Sequence, residues 1–394
     1  MTPEDAEARE QVPVDTERFD EDSIGMVTLE EPGGESVIDL AEADEVIPLN
    51  YEITSYGADY PVDGLVKRLE NGDITVPRFS AGIQEGDDVV GFQREYVWTK
   101  TQADRFIESL LLGLPIPGIF LVRENDGRLL VLDGHQRLQT LKSFYEGIFK
   151  SRSFKLVHVQ DRFKNLNYKN LQAEDRRRLD NSIIHATIVK QDEPSGDQSS
   201  VYLIFERLNS GGTILQPQEI RVALYHGAFA ELLVTLNEYS GWRQLFGKKS
   251  QRLKDLELIQ RFFALFYHGD KYTRPMKAFL NRYMATNRHL QAQNEQELTS
   301  IFTLTVDTIL AGIGPRAFKP SNAINAAVLD SVMVGVASRI VVGGEMRNAS
   351  GLLPAYRRLI ADPEYVRVTS RSTADDDHVA IRLELARNAF LGVP

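Results

Sequence analysis

The residues best equipped for chemistry in this chain are Asp133-Gly134-His135-Gln136-Arg137. They directly follow the apolar run Leu129-Leu130-Val131-Leu132 and directly precede a helical pattern carrying Leu138, Leu141, Phe144 and Tyr145. That order predicts a strand, a sharp turn on glycine, and a helix whose first turn presents Gln and Arg. Backbone N–H groups and the positive end of a helix dipole gather at such a junction, which makes it a ready anion site. Gly134 allows close approach of the backbone to a ligand. Arg137 adds a planar fork of donors suited to phosphate, and Asp133 a carboxylate able to hold Mg²⁺. His135 suits either a phosphate-facing donor or a general base. A plainer reading stays open, in which Asp133 and Arg137 pair with each other; no Walker-type loop accompanies them.

Several elements must position this stretch. Val62, Leu65, Val66 and Leu69 have helical spacing and stop at Asn71-Gly72, followed by a strand over 74–79. The aromatic segment Phe92-Gln93-Arg94-Glu95-Tyr96-Val97-Trp98 leads into a helix to about Leu112, capped by Thr101 with Asp104 three residues on. Phe92 and Trp98 read as core packing or as ligand contacts. Residues 118–123 and 128–132 form strands around the hairpin turn Asn125-Asp126-Gly127, and the second strand delivers the motif. A basic helix at Arg176-Arg177-Arg178, a solvated face or a nucleic-acid contact, precedes a strand over 183–189. A helix over 201–208 ends in Asn209-Ser210-Gly211-Gly212-Thr213, rich in backbone donors. Pro217 opens the next helix, where Glu219 and Arg221 offer a ligand wall or an ion pair. From about 228 the pattern is helical: 228–239, 253–268, 275–288, 295–311, 322–342, 351–361 and 378–391. Arg243, Lys248, Lys249, Arg252 and Lys254 beside Trp242 and Phe246 suit nucleic acid or the wrapping of a helix start equally well.

The bulk numbers limit the choices. A chain of 394 residues with 42% hydrophobic and 26% charged residues has enough apolar material for a sizeable core. There is no cysteine, which excludes disulfides, thiolate metal sites and a thiol nucleophile. No uninterrupted apolar run of roughly 18 residues is present, and the N-terminus is acidic where a signal peptide is basic. The inventory points to a cytosolic protein without a membrane partner. Net charge is −11, but residues 1–45 hold 16 of the 56 acids and two of the 45 bases, leaving 40 acids against 43 bases in the body. Residues 1–46 are therefore expected to be an acidic disordered tail, either a solubiliser or a shield over a basic face.

Together, three segments resemble the N-terminal domain family of GmrSD-type restriction endonucleases. They are Phe92-Gln93-Arg94 with Val97-Trp98, then Ile107-Glu108-Ser109-Leu110-Leu111-Leu112-Gly113 with Pro115-Ile116-Pro117, then Asp133-Gly134 with Gln136-Arg137-Leu138 and Thr140-Leu141. A fourth is similar too: Phe205, then Leu208-Asn209-Ser210-Gly211-Gly212-Thr213, then Gln218-Glu219-Ile220-Arg221. The sequence departs at His135, where the family usually has Gln, and at Gln139, where it usually has Thr.

The resemblance implies an α+β fold. Residues 47–225 would form a ParB/sulfiredoxin-like nucleotide-binding domain, followed by an all-helical domain at 226–394. It implies a nucleoside triphosphate with Mg²⁺ as cofactors. Asp133, His135 and Gln136 would be catalytic, and Gln93, Arg94, Gly134, Arg137, Thr140, Asn209, Gly211, Gly212 and Arg221 would bind the nucleotide. Asp133, Glu206, Asn209 and Glu219 would hold the metal. The lack of cysteine excludes the sulfiredoxin reaction. The seven histidines, His135, His158, His185, His226, His268, His289 and His378, stand apart in sequence and give no HNH-type pair. The expected role is thus an NTP-hydrolysing module of a DNA restriction or anti-phage system. It would sense or regulate, with DNA as partner and the nuclease on a separate chain. A non-enzymatic ParB-like DNA-binding regulator and a ParB-like nuclease are the alternatives. Homo-oligomerisation is left open.

Overall fold

The computed structural model describes residues 28–29, 35–39, 52–76, 96, 98–124, 126–193, 199–208, 215–344 and 349–394. The described elements begin with two short strands, β1 (Thr28–Leu29) and β2 (Val37–Ile38). The site-bearing part follows: β3 (Glu52–Pro61), α1 (Val62–Glu70), β4 (Ile74–Thr75), α2 (Lys100–Leu112), β5 (Ile119–Arg123), β6 (Leu129–Asp133) and α3 (His135–Glu146). A hairpin of β7 (Ile148–Phe149) and β8 (Arg152–Ser153), then α4 (Ala173–Asp180), β9 (Ile183–Glu193), α5 (Ser199–Leu208) and α6 (Pro217–Leu224), lead into the helical part. That part comprises α7 (Ala228–Asn237), α8 (Ser240–Phe246), α9 (Lys254–His268), α10 (Met276–Thr286) and α11 (Glu295–Gly312). After them come strand β10 (Ile324–Asn325), α12 (Ala326–Gly343), α13 (Leu352–Ala361), α14 (Pro363–Ser370) and α15 (Asp376–Leu391).

A five-stranded mixed sheet, in the order β3-β9-β5-β6-β4, separates two hydrophobic cores. Successive side chains of a strand point to opposite faces, so one apolar strand can serve both. β6 does this: Leu129 and Val131 enter the core under α1, α2 and α3, while Leu130 and Leu132 enter the core shared with the helical part. That second core passes through α5 and α6 into the helices beyond 226 without a break. The chain is therefore a mixed α/β structure with a helical C-terminal region.

α12 runs through the helical part and packs against α9, α11 and α15. It is long and apolar enough to cross a membrane, yet 78% of its 18-residue window is buried inside the protein, so it behaves as a core helix. The charges that interrupt its apolar pattern are themselves buried. Asp330 accepts from Arg261 at 2.6 Å and from Arg382 at 3.2 Å, all three side chains at 0% exposure.

The structure corrects several expectations. α2 is capped by Thr99 in a capping box with Gln102, not by Thr101. Asp104 is instead buried, accepting from the amides of Val157 and His158 at 3.0 Å each and pairing with Lys100. Burial satisfied by two amides outweighs a solvent-facing cap. Of the strand expected over 74–79, Ile74–Thr75 is observed, and residues 77–79 lie outside the described residues. α8 and α14 fall in stretches to which the periodicity assigns no helix, the latter opening on Pro363.

Of residues 1–46, expected as an acidic tail, the described segments 28–29 and 35–39 are ordered against the rest of the protein. β2 pairs antiparallel with β1 and parallel with β10, so the segment 35–39 is docked on the helical part. Val37 is buried, and Asp39 pairs with Lys254 and Arg261 at 2.6 Å each. Glu35 accepts from Lys319 at 2.8 Å. A buried arginine needs carboxylates around it, and this acidic segment supplies one.

Candidate functional site

The motif is built as the sequence predicts in outline. Asp133 ends β6, Gly134 is the N-cap of α3, and His135 opens the helix. Gly134 has φ +96°, and a Cβ there would lie 2.4 Å from Ile119 Cγ2 and 3.2 Å from Arg137 Nη2. Both backbone conformation and close packing therefore demand glycine. No side chain caps α3, so the positive end of its dipole meets no built-in oxygen from a capping residue.

The pairing left open by the sequence is present. Arg137 Nη2 donates to Asp133 Oδ2 at 2.8 Å and to the Gly118 carbonyl at 2.9 Å. This ties the start of α3 back to the strand end and to the entry of β5. Arg137 is 14% exposed on its side chain, and its buried Nε has no partner among the described residues. Thr140 is fully buried, its hydroxyl donating to the Gln136 carbonyl at 2.7 Å and sharing a 2.6 Å bond with Tyr96. Burial pushes the Tyr96 phenol up to about 12 against the opposing bond from Thr140.

His135 and Gln136 face a different way. Gln136 Oε1 accepts from the Trp98 amide at 3.2 Å, which fixes the side-chain amide. Its Nε2 then stands 2.8 Å from His135 Nε2. An amide nitrogen only donates, so that histidine nitrogen accepts and the ring proton sits on Nδ1. Trp98 also packs edge-on against Phe106 at 5.5 Å, the core-packing role.

A cavity of about 730 Å³ opens beside these two residues. One wall is α3, with His135, Gln136, Gln139 and Lys142; a second is the end of α1 with β4, from Leu69 to Val76. The β5–β6 hairpin contributes Glu124 and Arg128. The helical part closes the far side with Ala223, His226, Gly227, Arg288 and His289. Arg288 joins the two parts, donating to the His226 carbonyl at 2.7 Å and to Glu124 at 3.1 Å. Gly227 permits this approach, since a Cβ there would meet the Arg288 carbonyl oxygen at 2.6 Å. Arg128, Lys142 and Arg288 supply cations against the carboxylates of Glu70, Glu124 and Glu231, three histidines supply switchable donors, and Leu130 and Leu138 supply apolar surface. With the uncapped start of α3 on one wall, such a mixture suits a polar ligand that carries an anionic group and a flat or apolar body.

The remaining expected site residues are distributed otherwise. Asp133, Gly134, Arg137 and Thr140 brace the turn rather than line the cavity. Arg221 is buried at 0% exposure, bonded to Asn281 at 2.9 Å, Gln218 at 3.0 Å and Glu257 at 3.1 Å. Glu219 does not pair with Arg221; it caps α6 through the Gln216 amide at 2.7 Å and holds Arg252 at 2.9 Å. Glu206 lies 3.3 Å from Lys277. Asp133, Glu206 and Glu219 thus serve separate partners. Among the described residues no group of three or more His, Asp or Glu side chains is arranged to hold a metal ion. Gln93, Arg94, Asn209, Gly211 and Gly212 lie outside the described residues.

The basic cluster near Trp242 wraps a helix start. Trp242 is buried with its indole N–H on Asn237 at 2.9 Å, and Arg243 holds Asp255 at 3.0 Å. Sequence reading missed Gln139 and Lys142, although both follow His135 at helical spacing and so share its face. It also treated the histidines as isolated, whereas His135, His226 and His289 line one cavity. No local signal marks the last two, which arrive from the helical part.

Residues 75–226 match the family model of the GmrSD restriction endonuclease N-terminal domain. That segment therefore carries such a domain, spanning β4 to the junction of α6 and α7. A search of curated proteins finds no significant match to the chain.

Proposed function

We propose that this chain is a cytoplasmic nucleotide-binding, NTP-hydrolysing module of a DNA restriction or anti-phage defence system. In this reading it has a ParB/sulfiredoxin-like N-terminal fold and regulates cutting performed by a separate chain. The observation that carries the reading is the cavity of about 730 Å³ at the uncapped start of α3, inside the matched domain and closed by the helical part. Its volume suits a nucleotide. The dipole end of α3, Gln136 and Lys142 are assigned to the phosphates, and His135 to a place beside them as donor or base. Asp133 and Arg137 act one step back, by holding the turn. Magnesium is proposed to arrive on the triphosphate, keeping most of its waters as that ion prefers, rather than in a cage of Asp133, Glu206 and Glu219. Because the walls come from both parts of the chain, occupancy would alter the Arg288–Glu124 contact and so the helical part.

A titration of the four Mg²⁺–NTPs against the full chain tests this. Binding of at least one is expected, weakened about tenfold, or about 1.4 kcal/mol, by Gln136→Ala or Lys142→Ala. Phosphate release measured with and without DNA tests turnover. No binding of any NTP, or equal binding by both variants, would overturn the assignment.

A further inference from the structure

Residues 147–179 hold nine Lys and Arg against three Asp and Glu, in a chain whose net charge is −11. The segment folds as a small layer over the outer end of α3. β7 and β8 reverse through Lys150 and Ser151, both with left-handed φ, at 45° and 64°. The chain then closes through Phe154 N to the Gly147 carbonyl at 2.8 Å and Leu156 N to the Leu166 carbonyl at 2.9 Å. Beneath it runs a ridge of rings. Tyr96 meets Phe149 at 5.1 Å, Phe149 meets Phe154 at 5.0 Å, Phe154 meets Phe144 at 5.2 Å, and Phe144 meets Tyr168 at 6.3 Å. Lys150 lies over the Tyr96 ring at one end, and Arg176 over Tyr168 at the other. The ridge thus anchors Lys150 at one end and Arg176 at the other, and Arg176 in turn donates to the Lys169 carbonyl at 2.6 Å.

The three acids are already engaged, as is Asp180 at the end of α4, which accepts from Tyr145 at 2.6 Å and from Tyr168 at 3.1 Å. Asp175 pairs with Arg162, Asp161 lies 3.5 Å from Lys164, and Glu174 lies 3.8 Å from Arg178. Lys150, Arg152, Lys155, Lys169 and Arg177 are exposed, and among the described residues none has a carboxylate within ion-pair distance. Five unneutralised cations on a fixed layer produce a local positive field that the global charge hides.

From this juxtaposition we infer that the 147–179 layer is a docking face for the phosphate backbone of a nucleic-acid duplex. Lys150, Arg152, Lys155, Lys169 and Arg177 are the phosphate contacts. A single strand would need rings free to stack on its bases, and here Phe144 and Phe154 are fully buried, while Tyr168 is stacked on Tyr145 at 4.0 Å and covered by Arg176. Contacts of this kind position a duplex without reading its sequence. The face stands at the C-terminal end of α3, whose N-terminal end opens on the cavity, a helix of about 18 Å by its rise per residue. The inference deepens the DNA partner of the reading above and does not depend on the nucleotide.

The test uses the full chain and a short labelled DNA duplex, with anisotropy read at several salt concentrations. The unmodified chain is expected to bind with strong salt dependence. Arg152→Glu with Lys155→Glu and Lys169→Glu is expected to weaken binding at least about tenfold and to make the salt slope shallower by about one per cation lost. The exposed pair Arg357→Glu with Arg358→Glu on α13 is expected to leave both unchanged. The inference is overturned by no duplex binding in the unmodified chain, or by an unaltered slope in the triple variant. An equal loss in the α13 control, or binding to anionic vesicles in place of duplex, overturns it as well. Nucleotide titration of the same triple variant separates the two readings, because it is expected to match the unmodified chain.

Discussion

Two regions of this protein use arginine–carboxylate pairs in opposite ways. At the motif, Arg137 and Asp133 form one pair four residues apart, with Asp133 49% exposed on its side chain. In the helical part, Arg221, Arg261 and Arg382 are at 0% exposure, and their carboxylates Asp39, Glu257 and Asp330 come from three distant segments. The local pair fixes a turn so that its neighbours His135 and Gln136 face the cavity. The distributed network fixes which segments lie together. Burial alone would push the Arg261 guanidinium down, and Asp330, Asp39 and Glu257 more than reverse that. Losing one partner there leaves an uncompensated buried charge, whereas the exposed Asp133 can be replaced by water.

That contrast can be broken at its strongest point first. Asp330→Ala should leave Arg261 and Arg382 without their shared carboxylate and lower stability by about 3–5 kcal/mol, read as a shift of the urea midpoint. Gly134→Ala comes next. Left-handed φ and the contact with Ile119 Cγ2 together should lower stability by about 2–4 kcal/mol. NTP binding should fall with it. If Gly134→Ala is stable and binds normally, the turn is not the support assigned here.

Smaller effects sharpen the comparison. Asp133→Asn should lower stability by no more than about 1 kcal/mol, since Asp133 is half exposed and Asn keeps an acceptor oxygen for Arg137; calorimetric melting checks this. A cost equal to that of Asp330→Ala would erase the distinction drawn above. The smallest effect concerns pH. Burial tends to raise the Glu35 carboxyl, but its bond and charge contact with Lys319 and the Lys248 amide outweigh this and hold it below the ordinary value of 4.5. A carboxyl lowered in the folded state stabilises above its unfolded value and loses that contribution as pH falls through the folded value. Docking of the 35–39 segment should therefore loosen below about pH 4.5 and be intact at neutral pH. Hydrogen exchange at Ile324, whose amide donates to the Ser36 carbonyl at 2.9 Å, reads it directly.

Much of the site-bearing half is legible in the sequence. The antiparallel pair β5–β6 turning at Asp126-Gly127, the strand ending at Asp133 and the helix after Gly134 each carry a local cause: turn chemistry, an apolar run, a glycine with left-handed φ. The helix start at Thr99 was misread by two residues, because Thr99 with Gln102 and Thr101 with Asp104 both fit the capping pattern. Only packing against 157–158 decides between them. The docked segment 35–39 was hidden for a similar reason. Its acidic composition resembles a solvated tail, and nothing local reveals that Lys254 and Arg261 await Asp39.

By itself, then, the sequence determined the strand–glycine–helix junction, its family resemblance and the helical character of the second half, since these rest on contacts between near neighbours. Tertiary structure alone decided that Arg137 turns inward, that Arg221 belongs to a buried network, and that His226, Arg288 and His289 close a cavity begun by His135. Such choices depend on which distant groups compete for the same donor or the same space, and burial settles that competition only once the chain has folded.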